Sequence, residues 1–167
     1  MNKNFYFGAA TASFQIEGGV EEKAPSIWDV FSHTDGKIRD GNNGDVTCDS
    51  YRKFDEDLKL LVELGVDSYR FSISWSRLLL DGIKEINEKG VSYYRYILRK
   101  LKENHITPFV TLFHWDLPQC LQDKGGFLSP EFPSWFASYT KVFISLFGDD
   151  VRNYITFNEP ENSVYRG

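Results

Sequence analysis

The order in which apolar runs change their period constrains this chain most. Residues 67–75, DSYRFSISW, read as a strand rich in aromatic and β-branched side chains. Residues 107–115, TPFVTLFHW, are apolar on both faces, as a parallel strand covered on both sides must be. Residues 153–157, NYITF, repeat the pattern. Between these runs the apolar spacing becomes that of a helix. Tyr51, Phe54, Leu58, Leu61 and Val62 share one helical face, which Asp49 or Ser50 can cap and Gly65 can end. Val91, Tyr94, Leu98 and Leu101 stripe residues 88–103. Phe136, Tyr139, Phe143 and Phe147 line residues 131–147, with Ser129 as candidate cap and Gly148 as stop. A first strand is expected within residues 5–16, ending near Gln15. Residues 32–48, dense in Gly, Asn and Asp, read as a long loop.

Strand and helix thus alternate, with the later strands about 40 residues apart, which predicts βαβ units in a parallel α/β sheet. A doubly wound sheet and a (β/α)8 barrel both satisfy that order. The glycine-rich phosphate fingerprints of nucleotide-binding sheets are absent, which favours the barrel. A barrel typically needs about 250 residues, and this chain has 167 and about four units. The expectation is therefore an α/β fold: residues 1–167 as the N-terminal half of a barrel, ending after the fourth strand. Such a half leaves sheet edges and an apolar inner face open. It should pair with a complementary C-terminal half or self-associate.

Composition narrows the partners. A net charge of -5 gives no basic face for phosphates, so nucleic acid is not expected. The apolar run at the start is short for a signal sequence and no run is long enough to span a membrane, so a cytoplasmic location without membrane contact is expected. The two cysteines, Cys48 and Cys120, lack metal-ligand spacing. Aromatic residues reach 16%. That fits either a Phe-rich core or a cleft whose flat faces stack on sugar rings.

In parallel α/β folds, functional groups gather at the C-terminal ends of strands. Here that rule selects Gln15 to Glu17, the segment from Arg70 to Arg77, His114-Trp115-Asp116 and Asn158-Glu159-Pro160. Amides, an imidazole and carboxylates beside indoles can hydrogen-bond hydroxyls and stack on a ring. A carboxylic acid in a partly dry pocket can protonate a leaving oxygen, so glycoside cleavage is the best-fitting reaction class. Plainer readings stand beside these. A lone histidine such as His114 is more often a satisfied core or supporting histidine than a catalytic one. Arg70, if buried, needs a carboxylate partner. Glu159 is as readily an acidic residue at the start of a helix.

Six collinear stretches bring in a resemblance: FGAATASFQIEGG, SIWDVFSH, GDVTCDSYRKFDEDLKLLVELGVDSYRFSISWSR, INEKGVSYYR, TPFVTLFHWDLPQCLQDKGGF and YITFNEP. In their order and spacing the chain resembles the N-terminal part of family 1 glycoside hydrolases, the β-glucosidase family. The resemblance implies a retaining β-glycosidase acting on a β-glucoside or related saccharide, with no metal or organic cofactor. It makes Glu159 the acid/base and Asn158 the residue on the sugar 2-hydroxyl. Gln15 and His114 would hold glycone hydroxyls with Trp115 beside them, and Arg70 would hold the nucleophilic glutamate. That glutamate belongs to a later strand with no counterpart in these residues. Asp116 and Glu17, the other strand-end carboxylates, do not match it. The chain also departs from the family in GGF at 125–127 and in the turn SRLLLDGIKEIN. A non-catalytic carbohydrate-binding or interaction fragment, or an inactive truncated product, is the alternative.

Overall fold

The computed structural model of the chain describes residues 5–165. Four strands form one parallel sheet: β1 (Gly8–Ala10), β2 (Ser68–Ser72), β3 (Thr107–Phe113) and β4 (Asn153–Phe157), in the order β1-β2-β3-β4. That unbroken order decides between the two candidate architectures. Parallel crossovers are right-handed, so every crossover falls on the same face of the sheet. A doubly wound sheet would require the order to reverse. The fold is an α/β half-barrel.

The long helices are α3 (Ser50–Leu64), α5 (Glu88–Glu103) and α7 (Phe132–Phe147). Shorter ones are α1 (Ser13–Ile16), α2 (Ile27–His33), α4 (Trp75–Leu78), α6 (Gln119–Gln122) and α8 (Pro160–Tyr165). Side chains alternate along β2. Tyr69, Phe71 and Ile73 join the core with Tyr94, Ile97 and Leu101 of α5 and with Val110 and Leu112 of β3. Arg70 and Ser72 take the opposite face. Trp75 is fully buried and stacks on Tyr139 of α7 at 4.5 Å, with its indole N–H donated to the Gly82 carbonyl. Most of the aromatic excess is therefore core. Gly8 lets β1 approach β2, since a Cβ there would lie 2.4 Å from Ser68 Oγ and 2.9 Å from its carbonyl oxygen.

Several expectations need correction. The first strand stops at Ala10, and Gln15 lies on α1 instead of at a strand end. The chain leaves the sheet because the Ser13 amide donates to the Ser72 hydroxyl, not to a strand carbonyl. On α3, Phe54, Leu58 and Leu61 are buried, but Val62 faces solvent at the margin of the stripe. Gly65 ends that helix in the left-handed conformation as expected (φ 65°). Asp49 flanks the start of α3, but its own left-handed backbone turns its carboxylate to Arg52 at 2.7 Å, not to the helix amides. Asn87 caps α5. Ser129 meets the Glu131 amide ahead of α7, and Gly148 ends α7 with ordinary helical backbone. Ser32 and His33, expected in a loop, close α2, which Ser26 and Asp29 start with a reciprocal capping box.

Candidate active site

The site is built where β4 ends. The Asn158 amide continues the ladder by donating to the Phe113 carbonyl at 2.9 Å. The chain then turns through Glu159 at φ 43°, and Pro160 opens α8. Proline suits a first helical position and disfavours helical backbone in the residue before it. The sequence Asn-Glu-Pro thus ends the strand and turns the Glu159 carboxylate out into an exposed position.

Asn158 is 9% exposed and held from two sides. Its side-chain oxygen accepts from Arg70 Nη2 at 2.6 Å, and its carbonyl accepts from the Trp115 indole at 2.9 Å. Arg70 also donates from Nε to Thr111 Oγ1 at 3.0 Å. Among the described residues no carboxylate pairs with Arg70, contrary to the expectation for a buried arginine. The guanidinium is only half-buried, and an amide and a hydroxyl satisfy it. Trp115 has a left-handed backbone (φ 75°), a cost of about 1–3 kcal/mol that the surrounding bonds must offset.

His114 is half-buried beside Trp115, with ring centroids 5.5 Å apart, and its buried Nδ1 has no partner among the described residues. Burial lowers its pKa from the usual histidine value. The Arg70 charge pushes the same way and the Glu159 charge opposes it. The imidazole is therefore neutral at pH 7, and it senses both groups. Glu159 itself accepts a hydrogen bond from Asn162 of α8. Arg70, His114, Trp115, Asn158 and Glu159 converge. Gln15 stands apart from their bonds, with its side chain exposed on α1.

The two other candidate carboxylates, Glu17 at the end of α1 and Asp116 after β3, are committed elsewhere. Glu17 accepts from Arg77 Nε at 2.8 Å and from the Tyr94 hydroxyl at 2.9 Å. Arg77 is fully buried and also donates to the carbonyls of Gly18 and Gly19, with its guanidinium over the Tyr51 ring at 4.2 Å. Burial works against its charge, but the adjacent Glu17 carboxylate raises its pKa above the ordinary arginine value. Asp116, 2% exposed, accepts from Ser13 Oγ at 2.8 Å. Burial pushes its pKa up to about 7, against the Ser13 bond and the Lys23 charge. Sequence reasoning picked out both acids and missed Ser13, Ser72, Thr111 and Tyr94, which decide what the acids do. A hydroxyl in an apolar run carries no signal until the strands are in register.

An apolar cavity of about 210 Å³ adjoins the cluster, lined by Trp28, Phe113, Trp115, Phe127 and Asn162. Among the described residues no group of three or more His, Cys, Asp or Glu is placed to hold a metal, and no helix is long and apolar enough to cross a membrane.

Comparison with known proteins gives these residues a context. The family model for glycosyl hydrolase family 1 matches residues 1–167. β-Glucosidase A of Thermotoga maritima is 49% identical over 160 residues, which is 95% of this chain and 36% of the relative. β-Glucosidase 40 of Arabidopsis thaliana is 47% identical over 168 residues, 99% of this chain and 33% of the relative. The solved structure of the T. maritima β-glucosidase in complex with castanospermine superposes with a TM-score of 0.94 at 48% identity, covering 97% of this chain and 37% of that one. The chain thus spans about a third of the length of these relatives.

Proposed function

The chain belongs to glycosyl hydrolase family 1, and on that premise we propose that it carries the acid/base side of a retaining β-glycosidase site for β-glucosides. Glu159 gives its proton to the glycosidic oxygen as the bond to the anomeric carbon breaks. A second carboxylate, supplied from outside these residues and about 5–5.5 Å away, takes that carbon as a covalent ester. Glu159, now a carboxylate, removes a proton from the water that releases the sugar. Asn158 orients the sugar 2-hydroxyl, Gln15 and the neutral His114 hold further hydroxyls, and Trp115 offers a flat face. Arg70 stands ready to hold the second carboxylate. Turnover is assigned to the assembled protein.

The observation that carries this reading is the junction at Asn158. Arg70 and Trp115 both hold it, and the next residue is turned out of the sheet as an exposed carboxylate that meets only Asn162 among the described residues. The test pairs the chain with the C-terminal remainder of the T. maritima β-glucosidase and varies the leaving group. Dinitrophenyl glucoside needs no proton to depart, whereas an alkyl glucoside does. Glu159→Gln should slow alkyl glucoside cleavage by about 10²–10⁴-fold and the dinitrophenyl substrate far less at its glycosylation step. Equal losses on both substrates would remove Glu159 from the role of proton donor.

Sugar binding without turnover is the second reading for residues 1–167 alone. It is favoured because the proposed sugar-gripping groups all lie here while Arg70 meets no carboxylate among the described residues. Calorimetric titration with deoxynojirimycin tests it, and absence of heat at millimolar ligand rejects it.

A further inference from the structure

Two of the turns that present sugar-facing groups of the site proposed above are α1, which carries Gln15, and the segment after β3, which carries His114 and Trp115. A buried hydroxyl relay joins them. The Ser13 amide donates to Ser72 Oγ at 2.7 Å, Ser72 Oγ donates to Ser13 Oγ at 3.0 Å, and Ser13 Oγ donates to Asp116 Oδ2 at 2.8 Å. Each hydroxyl has one proton to give, so the relay runs in one direction and must end on a pure acceptor. Asp116 is that acceptor.

Its other oxygen is unusual. Asp116 Oδ1 is buried and has no partner among the described residues. Asp116 also lines a small cavity of about 10 Å³, room for about one water molecule, whose polar lining includes Ser13, Glu17, Lys23, Ser74 and Arg77 beside the Phe14 ring. An unpaired carboxylate oxygen beside such a space is a site at which a proton or a water arrives.

We propose that Asp116 is a positioning residue for the sugar site: as the carboxylate it locks the Gln15 turn to the His114–Trp115 turn through Ser13, and protonation at Oδ1 loosens that lock. The inference rests on the reading that these two turns face the sugar. A neutral acid still accepts from Ser13 through its carbonyl oxygen, but a hydrogen bond to a charged acceptor is about twice as strong. Several groups surround the carboxylate. Lys23 lines the cavity and shares its ammonium with Asp29 of α2. Glu17 lines it paired to Arg77 of α4, and His114 lies two residues earlier on the same segment. Burial among these places the exchange near neutral pH.

The proposal separates two pH dependences that a purely structural acid would not separate. An acid whose folded pKa is raised binds more protons when folded. Its contribution to global stability therefore falls as pH rises from the unfolded value of about 3.9 toward 7. Order in α1 should move the other way and increase as Asp116 ionises.

Hydrogen exchange of the chain between pH 5.5 and 8, corrected for intrinsic rates, reads both. Protection of the α1 amides should rise about fivefold with a midpoint near 7, while global stability falls. Asp116→Asn keeps an oxygen acceptor and should abolish the α1 step. His114→Gln should leave it in place. If Asp116→Asn fails to fold, Ser13→Ala removes the relay donor and should lower α1 protection at pH 8 but hardly at pH 5.5. A flat α1 profile in the unsubstituted chain, or a step that survives Asp116→Asn, overturns the proposal. Castanospermine affinity is measured in parallel. A chain that shows the exchange step but binds no sugar refutes the sugar-site reading and leaves the lock standing.

Discussion

Replacing Arg77 with methionine removes the most heavily buried charge in the described structure. The guanidinium is fully buried, donates to Glu17 at 2.8 Å and to two glycine carbonyls, and stacks on Tyr51. Methionine keeps much of the volume but strands Glu17, whose side chain is 6% exposed and retains only the Tyr94 hydroxyl as a side-chain donor. Breaking a buried pair from one side costs about 3–5 kcal/mol, because a buried charge is left without compensation. With a urea m-value of about 2 kcal/mol/M for a domain of this size, the midpoint should fall by about 2 M. Unfolding followed by tryptophan fluorescence at pH 7 measures it, since Trp75 heads α4, the helix that carries Arg77. Glu17→Leu combined with Arg77→Met should recover most of the loss, because a buried ion pair replaced as a whole is near neutral in stability. A single Arg77→Met change that moves the midpoint by less than about 0.5 M, or a double change no better than the single, would refute the view that the pair is fully desolvated.

Three further outcomes follow from the geometry. An NMR titration of His114 should give a midpoint below the ordinary histidine value of about 6.5, rising in Arg70→Met and falling further in Glu159→Gln, because the two charges act on it with opposite signs. Because the folded value is lowered, the share of stability His114 contributes is present above about 6.5 and is lost as pH falls from there through the lowered folded value, a slope absent in His114→Gln. Gly8→Ala should cost about 1–3 kcal/mol and lower Tm, since the new methyl would press on the Ser68 backbone; an unchanged Tm shows that β1 can shift aside. Light scattering after size-exclusion should give a mass above one chain, because among the described residues β1 and β4 are unpaired edges and Tyr154 on β4 is 37% exposed; a compact monomer that unfolds cooperatively contradicts this.

The elements with a strong period were legible and the short ones were not. The stripe Val91, Tyr94, Leu98, Leu101 gave α5 its bounds because a long amphipathic helix repeats its signal over several turns. One-turn helices such as α1 and α4 have no period to read. Their backbone bonds are completed by distant side chains, as the Ser13 amide is by Ser72. Glycine was legible at both helix ends: Gly65 stops α3 in the left-handed conformation, and Gly148 stops α7 while keeping helical backbone. The strand-end rule located the converging cluster because the parallel order β1-β2-β3-β4 sends all four chain exits to one end. It did not assign partners. Nothing local to Arg70 says that it will hold Asn158, 88 residues away, instead of an acid.

That contact carries a consequence for how the site is held. Two residues on its rim, Trp115 and Glu159, have left-handed backbones that non-glycine residues avoid. Both strains meet at Asn158. Its carbonyl takes the Trp115 indole, its amide stays in the β3 ladder, and its side chain takes Arg70, which Thr111 steadies in turn. Three hydrogen bonds on one residue at about 1 kcal/mol each, with the charged Arg70 bond worth more, are of the size needed to offset two such backbones. Asn158 is therefore the keystone of the rim as well as the proposed sugar contact. Asn158→Ala keeps the two backbone bonds but removes the Arg70 bond, the strongest of the three, and so should loosen the rim at Trp115 and Glu159. Its signature is a loss of order in both turns that exceeds the loss of global stability. A variant that loses sugar affinity while hydrogen exchange at residues 114–116 and 159–162 stays unchanged would show instead that the strain is held from elsewhere.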